Sequence, residues 1–269
     1  MVRGVETMSA PRLGFVAQTH TGAVEYDDLV AAGATEGFDF VELYMDGATE
    51  RRALDPERIE TLHERHGLDL AVHLPFVDLD LGSPRPLVRE ASRRELEACL
   101  DAAAEMGAEK AVLHADTDAT PPEFGRESVL PHALESIERL DAYADDAGVE
   151  VCVENLPGRL FSTYDFDVLT AETDASLTLD TGHARVDGLD EAEMADALRE
   201  FDDRISHVHV NDSRVPEDEH VPVGSGTIDF ERAFRPVRDG DWDGTLSVEV
   251  FTFDFDYVAT SRRKLEAWL

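Results

Sequence analysis

The feature that most constrains this chain is an alternation. From residue 13 to the C-terminus, short β-rich apolar runs take turns with longer segments whose apolar residues recur every three or four positions. The runs are Leu13–Ala17, Phe38–Tyr44, Leu68–Leu74, Glu109–Ala115, Val149–Glu154, Ser176–Asp180, Ile205–Val210 and Thr245–Phe251. Most are continuously apolar, the pattern of a parallel strand covered on both sides. Segments such as Arg89–Met106 and Val129–Ala147 combine helical spacing with Ala, Leu, Glu and Arg. Gly67, Gly107 and Gly148 stand where such helices would end. Eight alternations without a Gly-rich dinucleotide turn predict an α/β fold, a single (β/α)8 TIM barrel, and 269 residues suit that size. Residues 1–12 are expected to be a flexible N-terminal extension and 13–269 the barrel domain; no linker or low-complexity segment divides it.

Charge sets the next bound. Fifty-nine acidic against 24 basic residues give −35, and Lys110 and Lys264 are the only lysines. Self-repulsion on that scale destabilises a compact chain in dilute buffer, whereas molar salt shrinks the Debye length to about 3 Å and screens it. The chain is therefore expected to come from a halophile and to work in its cytoplasm. An acidic protein shaped for one particular partner fits less well, because the excess runs along the whole sequence. Nucleic acid is disfavoured as a partner, since phosphate binding needs a basic face. No apolar run reaches the ~18 residues of a membrane span, and the N-terminus lacks a signal-peptide core. Cys99 and Cys152, far apart in apolar segments, read as buried reduced thiols.

The chemistry lies at the strand ends. The third and fourth runs finish on His73 and His114, and the fifth on Glu154-Asn155. The sixth leads through Asp180-Thr181-Gly182 to His183, and the seventh carries His207, His209 and Asn211-Asp212. The eighth contains Glu249. In a barrel these ends meet at one mouth, and alternation lets Glu154, His209 and Glu249 point inward together. In so acidic a chain a single carboxylate there means little, and a lone histidine is more often a core or capping group. The set as a whole is harder to explain structurally. Three carboxylates gathered in one mouth would repel and raise one another's pKa unless a cation neutralised them.

The ordered set of Glu154-Asn155, Asp180–His183, His207–Asp212, the stretch from His220 to Asp229 and Glu249 resembles the xylose isomerase-like barrel superfamily, over essentially the whole chain from residue 13. That superfamily includes sugar (phosphate) isomerases and epimerases and the endonuclease IV repair enzymes. The resemblance implies a metal site of Glu154, Asp180, His209 and Glu249. Three oxygen ligands and one imidazole suit Mn, Mg or Co, with Zn as a further candidate. Additional metal positions of endonuclease IV are matched by His73, His114, His183, Asp218 and His220. Strand one departs from the endonuclease pattern, because Gly14-Phe15-Val16 lacks the histidine expected there. Arg51 and Arg52 are the one adjacent basic pair near the mouth, equally suited to a phosphate or to a solvated helix start.

The implied activity is a divalent-metal-dependent isomerase or epimerase of a small carbohydrate, a sugar or sugar phosphate, without a nucleotide cofactor. Glu154 and Glu249 would be the catalytic pair, one removing a carbon-bound proton and the other returning it across a metal-stabilised enediolate. His73, His114, His183 and Arg214 are candidate substrate contacts, though Arg214 departs in spacing from the arginine of ketose epimerases. The alternative is an endonuclease IV-like abasic-site phosphodiesterase; related dehydratase chemistry also stays open, and a metal-stabilised binding module fits worst. Schiff-base chemistry lacks a lysine at the mouth, since Lys110 starts its strand and Lys264 lies in the last helix. Cys152, two residues below Glu154, should pack in the barrel. Gly224–Gly226 either offers N–H groups to an anion or merely turns the chain. A homo-oligomer is expected.

Overall fold

The computed structural model describes residues 11–17, 24–215, 217–240, 242–252 and 254–269. Eight parallel strands close into a barrel in sequence order: β1 (Arg12–Ala17), β2 (Phe40–Tyr44), β3 (Asp69–His73), β4 (Lys110–Leu113), β5 (Glu150–Glu154), β6 (Ser176–Asp180), β7 (Ile205–Val210) and β8 (Thr245–Val248). The ring shuts where β1 pairs with β8, Gly14 opposite Ser247. Outside it run α1 (Tyr26–Glu36), α2 (Pro56–His66), α3 (Pro86–Glu105), α4 (Arg126–Ala147), α5 (Phe166–Glu172), α6 (Thr181–Asp187), α7 (Glu191–Glu200), α8 (Phe230–Ala233), α9 (Arg235–Asp239) and α10 (Phe255–Trp268). Each expected strand is present, most trimmed by a residue or two. The exception is β8, expected to reach Phe251: it ends at Val248 because Phe251 donates its N–H to His220 O in a neighbouring loop instead. The expected N-terminal extension falls mainly on residues 1–10, outside the described residues, and Arg12 opens β1.

Strand alternation sorts side chains into two populations. In β7, Val208 and Val210 face outward into the layer shared with the helices, alongside Val151 and Val153 of β5 and Leu177 and Leu179 of β6. The intervening His207 and His209, Cys152 and Glu154, Thr178 and Asp180 turn inward, and all are buried. Such barrels usually fill the interior with branched apolar residues; this one places charged and hydrogen-bonding groups there. At the N-terminal end the ring of Phe40 occupies the space a side chain on residue 14 would need, only 2.4 Å from where a Cβ would stand, so Gly14 is sterically required. Lys110, expected at that end, donates to Ser206 O (2.6 Å) and faces Glu150 at 3.3 Å. Arg12 clasps Asp69 and Glu109 at 2.5 and 2.6 Å.

The helices obey their local signals. Asp55 caps α2, accepting from Arg58 N, with Pro56 in the first turn; Gly67 and Gly148 close α2 and α4 in the left-handed conformation. No helix among the described residues is long and apolar enough to cross a membrane. Burial raises the Cys99 and Cys152 thiols to about 12, which leaves them inert.

Candidate metal centre

Four side chains converge at the C-terminal mouth: Glu154 at the end of β5, Asp180 at the end of β6, His209 in β7 and Glu249 just past β8. Each offers one ligand atom lying within 4.8 Å of the others, and all four residues are buried. His209 Nδ1 lies 3.1 Å from Glu249 Oε2, 3.3 Å from Glu154 Oε1 and 4.0 Å from Asp180 Oδ2. Backbone pairing continues past β8, Glu249 N donating to Val210 O, so Glu249 stays in register with β7.

Among the described residues four further groups share residues with this tetrad, two of them through Glu154 and Asp180. His73 and His114 meet Glu154 Oε2 at 3.5 and 2.8 Å. His183 and His220 meet Asp180 in the other, with Asp218 Oδ1 at 3.5 Å from His183 Nε2 and 2.8 Å from His220 Nε2. Hydrogen-bond partners set the imidazole orientations. His73 Nδ1 faces Leu74 O and His183 Nδ1 faces Asn155 O, both at 2.9 Å. A carbonyl only accepts, so each Nδ1 bears hydrogen and each Nε2 is left for the site.

The donor set fits a divalent cation. Glu154, Asp180 and Glu249 are buried together, and burial disfavours their charged forms. Asp180 accordingly rises to about 6, driven by burial and by repulsion from Glu154 and Glu249 against the pull of His183 and His220. Burial also opposes ionisation of Glu249, but His209 and His220 outweigh it and hold this carboxyl at about 2. Burial would lower His209, yet Glu42, Glu249 and Glu154 lift it well above the usual imidazole range; Asp180, Asp218 and Glu154 do the same for His183. Without a metal, protons on imidazoles must supply the positive charge. A divalent ion supplies it directly and leaves the imidazoles neutral, as ligands must be.

Neighbouring loops brace these candidate ligands. Asn155 Oδ1 accepts from Asp180 N at 2.7 Å, and Asp180 itself accepts from Asn211 Nδ2 and His183 N, both at 2.6 Å. The buried Asp212 carboxylate accepts four backbone N–H groups, from Ser213, Gly224, Gly226 and Ile228, at 2.8–3.1 Å. The glycine N–H groups of Gly224 and Gly226 thus meet an anion belonging to the chain itself. This contact fixes the loop that carries Asp218 and His220.

A cavity of about 410 Å³ opens above, with His114, His183 and Asp218 in its wall. Asp78, Asp116 and Asp118 line it too, and its one arginine, Arg159, pairs with Asp116 at 3.2 Å. A second cavity of about 410 Å³, around Arg199, Arg235 and Trp242, borders none of the histidine–carboxylate groups.

Residues 30–268 match the family described as xylose isomerase-like TIM barrel. The chain belongs to that family. A probable endonuclease 4 of Mycobacterium marinum is 30% identical over 234 residues, covering 81% of this chain and 88% of that protein. An uncharacterized protein of Methanocaldococcus jannaschii is 28% identical over 229 residues, covering 80% and 76%. Among solved structures, a D-tagatose 3-epimerase-like protein superposes with a TM-score of 0.82 at 22% identity, over 96% of both chains, a likeness of fold.

Within this xylose isomerase-like barrel the predicted ligands Glu154, Asp180, His209, Glu249, His73, His114, His183, Asp218 and His220 come together at one mouth. The predicted arginines do not. Arg214 is 65% exposed and gripped by Glu219 at 3.0 and 2.5 Å, clear of the cavity wall. Arg51 is held by Glu95 and Arg52 by Glu50. Sequence reasoning passed over Arg159, an exposed loop residue, and Glu42 of β2, buried between His207 and His209. The signal for Glu42 was a lone carboxylate inside the apolar run Phe40–Tyr44.

Proposed function

We propose that this chain is a divalent-metal-dependent isomerase or epimerase of a small polyhydroxylated carbonyl compound, a sugar or sugar phosphate. The observation that carries the reading is the mouth. Its volume, about 410 Å³, is that of a small-molecule site, and its acidic wall with one already paired arginine repels polyanions. The same acidity favours an unphosphorylated substrate over a phosphorylated one. A bound divalent ion would polarise the carbonyl and its neighbouring hydroxyl.

Glu154 and Glu249 then do the proton work. They reach the centre from β5 and from beyond β8, and both approach His209 Nδ1, at 3.3 and 3.1 Å. One takes the proton from carbon and the other delivers one to the opposite face, so no redox cofactor is needed. His183, in the cavity wall, orients a substrate oxygen. The −35 charge supports a setting in molar salt, and a cytoplasmic homo-oligomer is part of the same reading.

One observation favours a second reading. Glu154 is shared between the tetrad and the His73–His114 group, and Asp180 between the tetrad and the His183–His220 group, an arrangement suited to several ions. With the endonuclease relative, it supports metal-assisted phosphodiester cleavage. Deuterium uptake from solvent into a panel of ketoses, aldoses and their phosphates, run beside abasic-DNA incision in high salt, separates the two. Uptake that falls in Glu249→Gln is expected. Incision with no uptake from any sugar would replace the first reading with the second.

A further inference from the structure

The geometry points to Glu42 as a positioning residue that fixes which nitrogen His209 presents to the metal. This inference rests on His209 being a ligand, and it adds a residue outside the tetrad, from the Glu42–His207–His209 group that shares that histidine.

Glu42 lies in β2, on the far side of His209 from the other carboxylates. Its Oε1 is 3.0 Å from His209 Nε2 and its Oε2 is 3.0 Å from His207 Nε2. All three side chains have no solvent exposure. An ionised carboxylate can only accept, so its oxygens draw hydrogen to both Nε2 atoms. For a neutral His209 that choice leaves the lone pair on Nδ1, the atom facing Glu154, Asp180 and Glu249. His209 thus reverses the arrangement of His73 and His183, which spend Nδ1–H on backbone carbonyls and leave Nε2 to the site. At His209 the acceptor that fixes the tautomer is a side-chain carboxylate in place of a backbone carbonyl.

His207 supports Glu42 rather than the metal. Its Nδ1 meets Thr245 Oγ1 at 2.7 Å, so His207, steadied by Thr245, occupies the second Glu42 oxygen and holds the carboxylate plane against His209. Thr245 lies opposite His207 in the β7–β8 register, which places the chain Thr245–His207–Glu42–His209 across the barrel interior from β8 to β2. A carboxylate behind a ligating imidazole fixes its tautomer and ring orientation and raises its basicity, and losing such a partner typically costs about 10–100-fold in metal affinity.

The test is a cobalt titration of wild type, Glu42→Gln and Glu42→Leu, following the visible ligand-field absorption and the Kd, with the melting temperature of each metal-stripped protein alongside. Both substitutions keep side-chain volume, and Gln retains one acceptor, so it serves if Leu fails to fold. Cobalt binding weakened roughly 10–100-fold, with an altered absorption band, is expected. A purely structural Glu42 would lower the melting temperature and leave Kd and band unmoved. Variants that bind cobalt within about twofold of wild type, with its spectrum, would overturn the assignment and leave the metal reading standing. Wild type that takes up no cobalt would overturn both.

Discussion

Removing the Asp212 carboxylate should loosen one side of the mouth while leaving the rest of the barrel in place. In Asp212→Ala the N–H groups of Ser213, Gly224, Gly226 and Ile228 lose their common acceptor, a buried carboxylate beneath a turn whose glycines are partly exposed. A hydrogen bond to a charged group is worth roughly 1.5–3 kcal/mol, and an orphaned buried donor costs about 1–3 kcal/mol. Four such donors could reach about 10 kcal/mol if nothing moved. The turn lies at the rim, so water entry and relaxation should reduce the net loss to about 4 kcal/mol. For a chain of this length each kcal/mol shifts the melting temperature by roughly 2–4 °C, giving a drop of about 8–16 °C. Asn is no mild substitute, since its amide would turn a donor toward two of the four N–H groups. The assay pairs thermal unfolding with metal counting. Occupancy should fall at the Asp218–His220 side, which this turn positions, and persist at the Glu154–His209 tetrad. A variant melting within about 2 °C of wild type with full metal content would refute the reasoning.

His209→Ala removes a tetrad ligand, so bound metal should drop by elemental analysis while His132→Ala, on α4, leaves it intact; equal content in both would sink the ligand assignment. Because protons compete for His209 and His183, whose pKa values sit well above normal in the metal-free protein, metal affinity should tighten as pH rises, with proton release in calorimetry; pH-independent affinity would contradict this. The −35 charge predicts a melting temperature that climbs between dilute buffer and molar KCl, and a flat profile would remove the salt argument. Burial, with Asp145 and Asp174 nearby, raises Asp141 to about 6 against an ordinary 3.8. The folded state therefore holds this proton more tightly, and stability is lost as pH climbs from about 4 to about 6. Asp141→Asn should then stabilise at pH 7 by about 1 kcal/mol after solvent screening, and not at pH 4; equal shifts at both would refute it.

The strands were legible because each carries an outward apolar face that periodicity detects, and the mouth because histidines are scarce enough to stand out at strand ends. What escaped was relational. Whether an arginine faces substrate or a neighbouring carboxylate depends on residues five or more positions away, as Glu219 decides for Arg214 and Glu95 for Arg51. Glu42 is separated from His209 by 167 residues, and only barrel closure makes them neighbours. The Gly224–Gly226 turn left two readings open in sequence because its anion, Asp212, is indistinguishable there from any other acidic residue in so acidic a chain.

Glu154 divides its two oxygens between partners: Oε2 toward His114 and His73, Oε1 toward His209 and His183. Ions loaded on the two sides would therefore compete for one charge and share one rotamer. Their binding becomes a single linked equilibrium, and whatever factor the first ion imposes on the second, the second must impose on the first. A titration fitted to independent sites would then misassign both affinities. Metal content measured below saturation would report a coupled population, with mixed-metal loading depending on the order of addition only until equilibrium is reached.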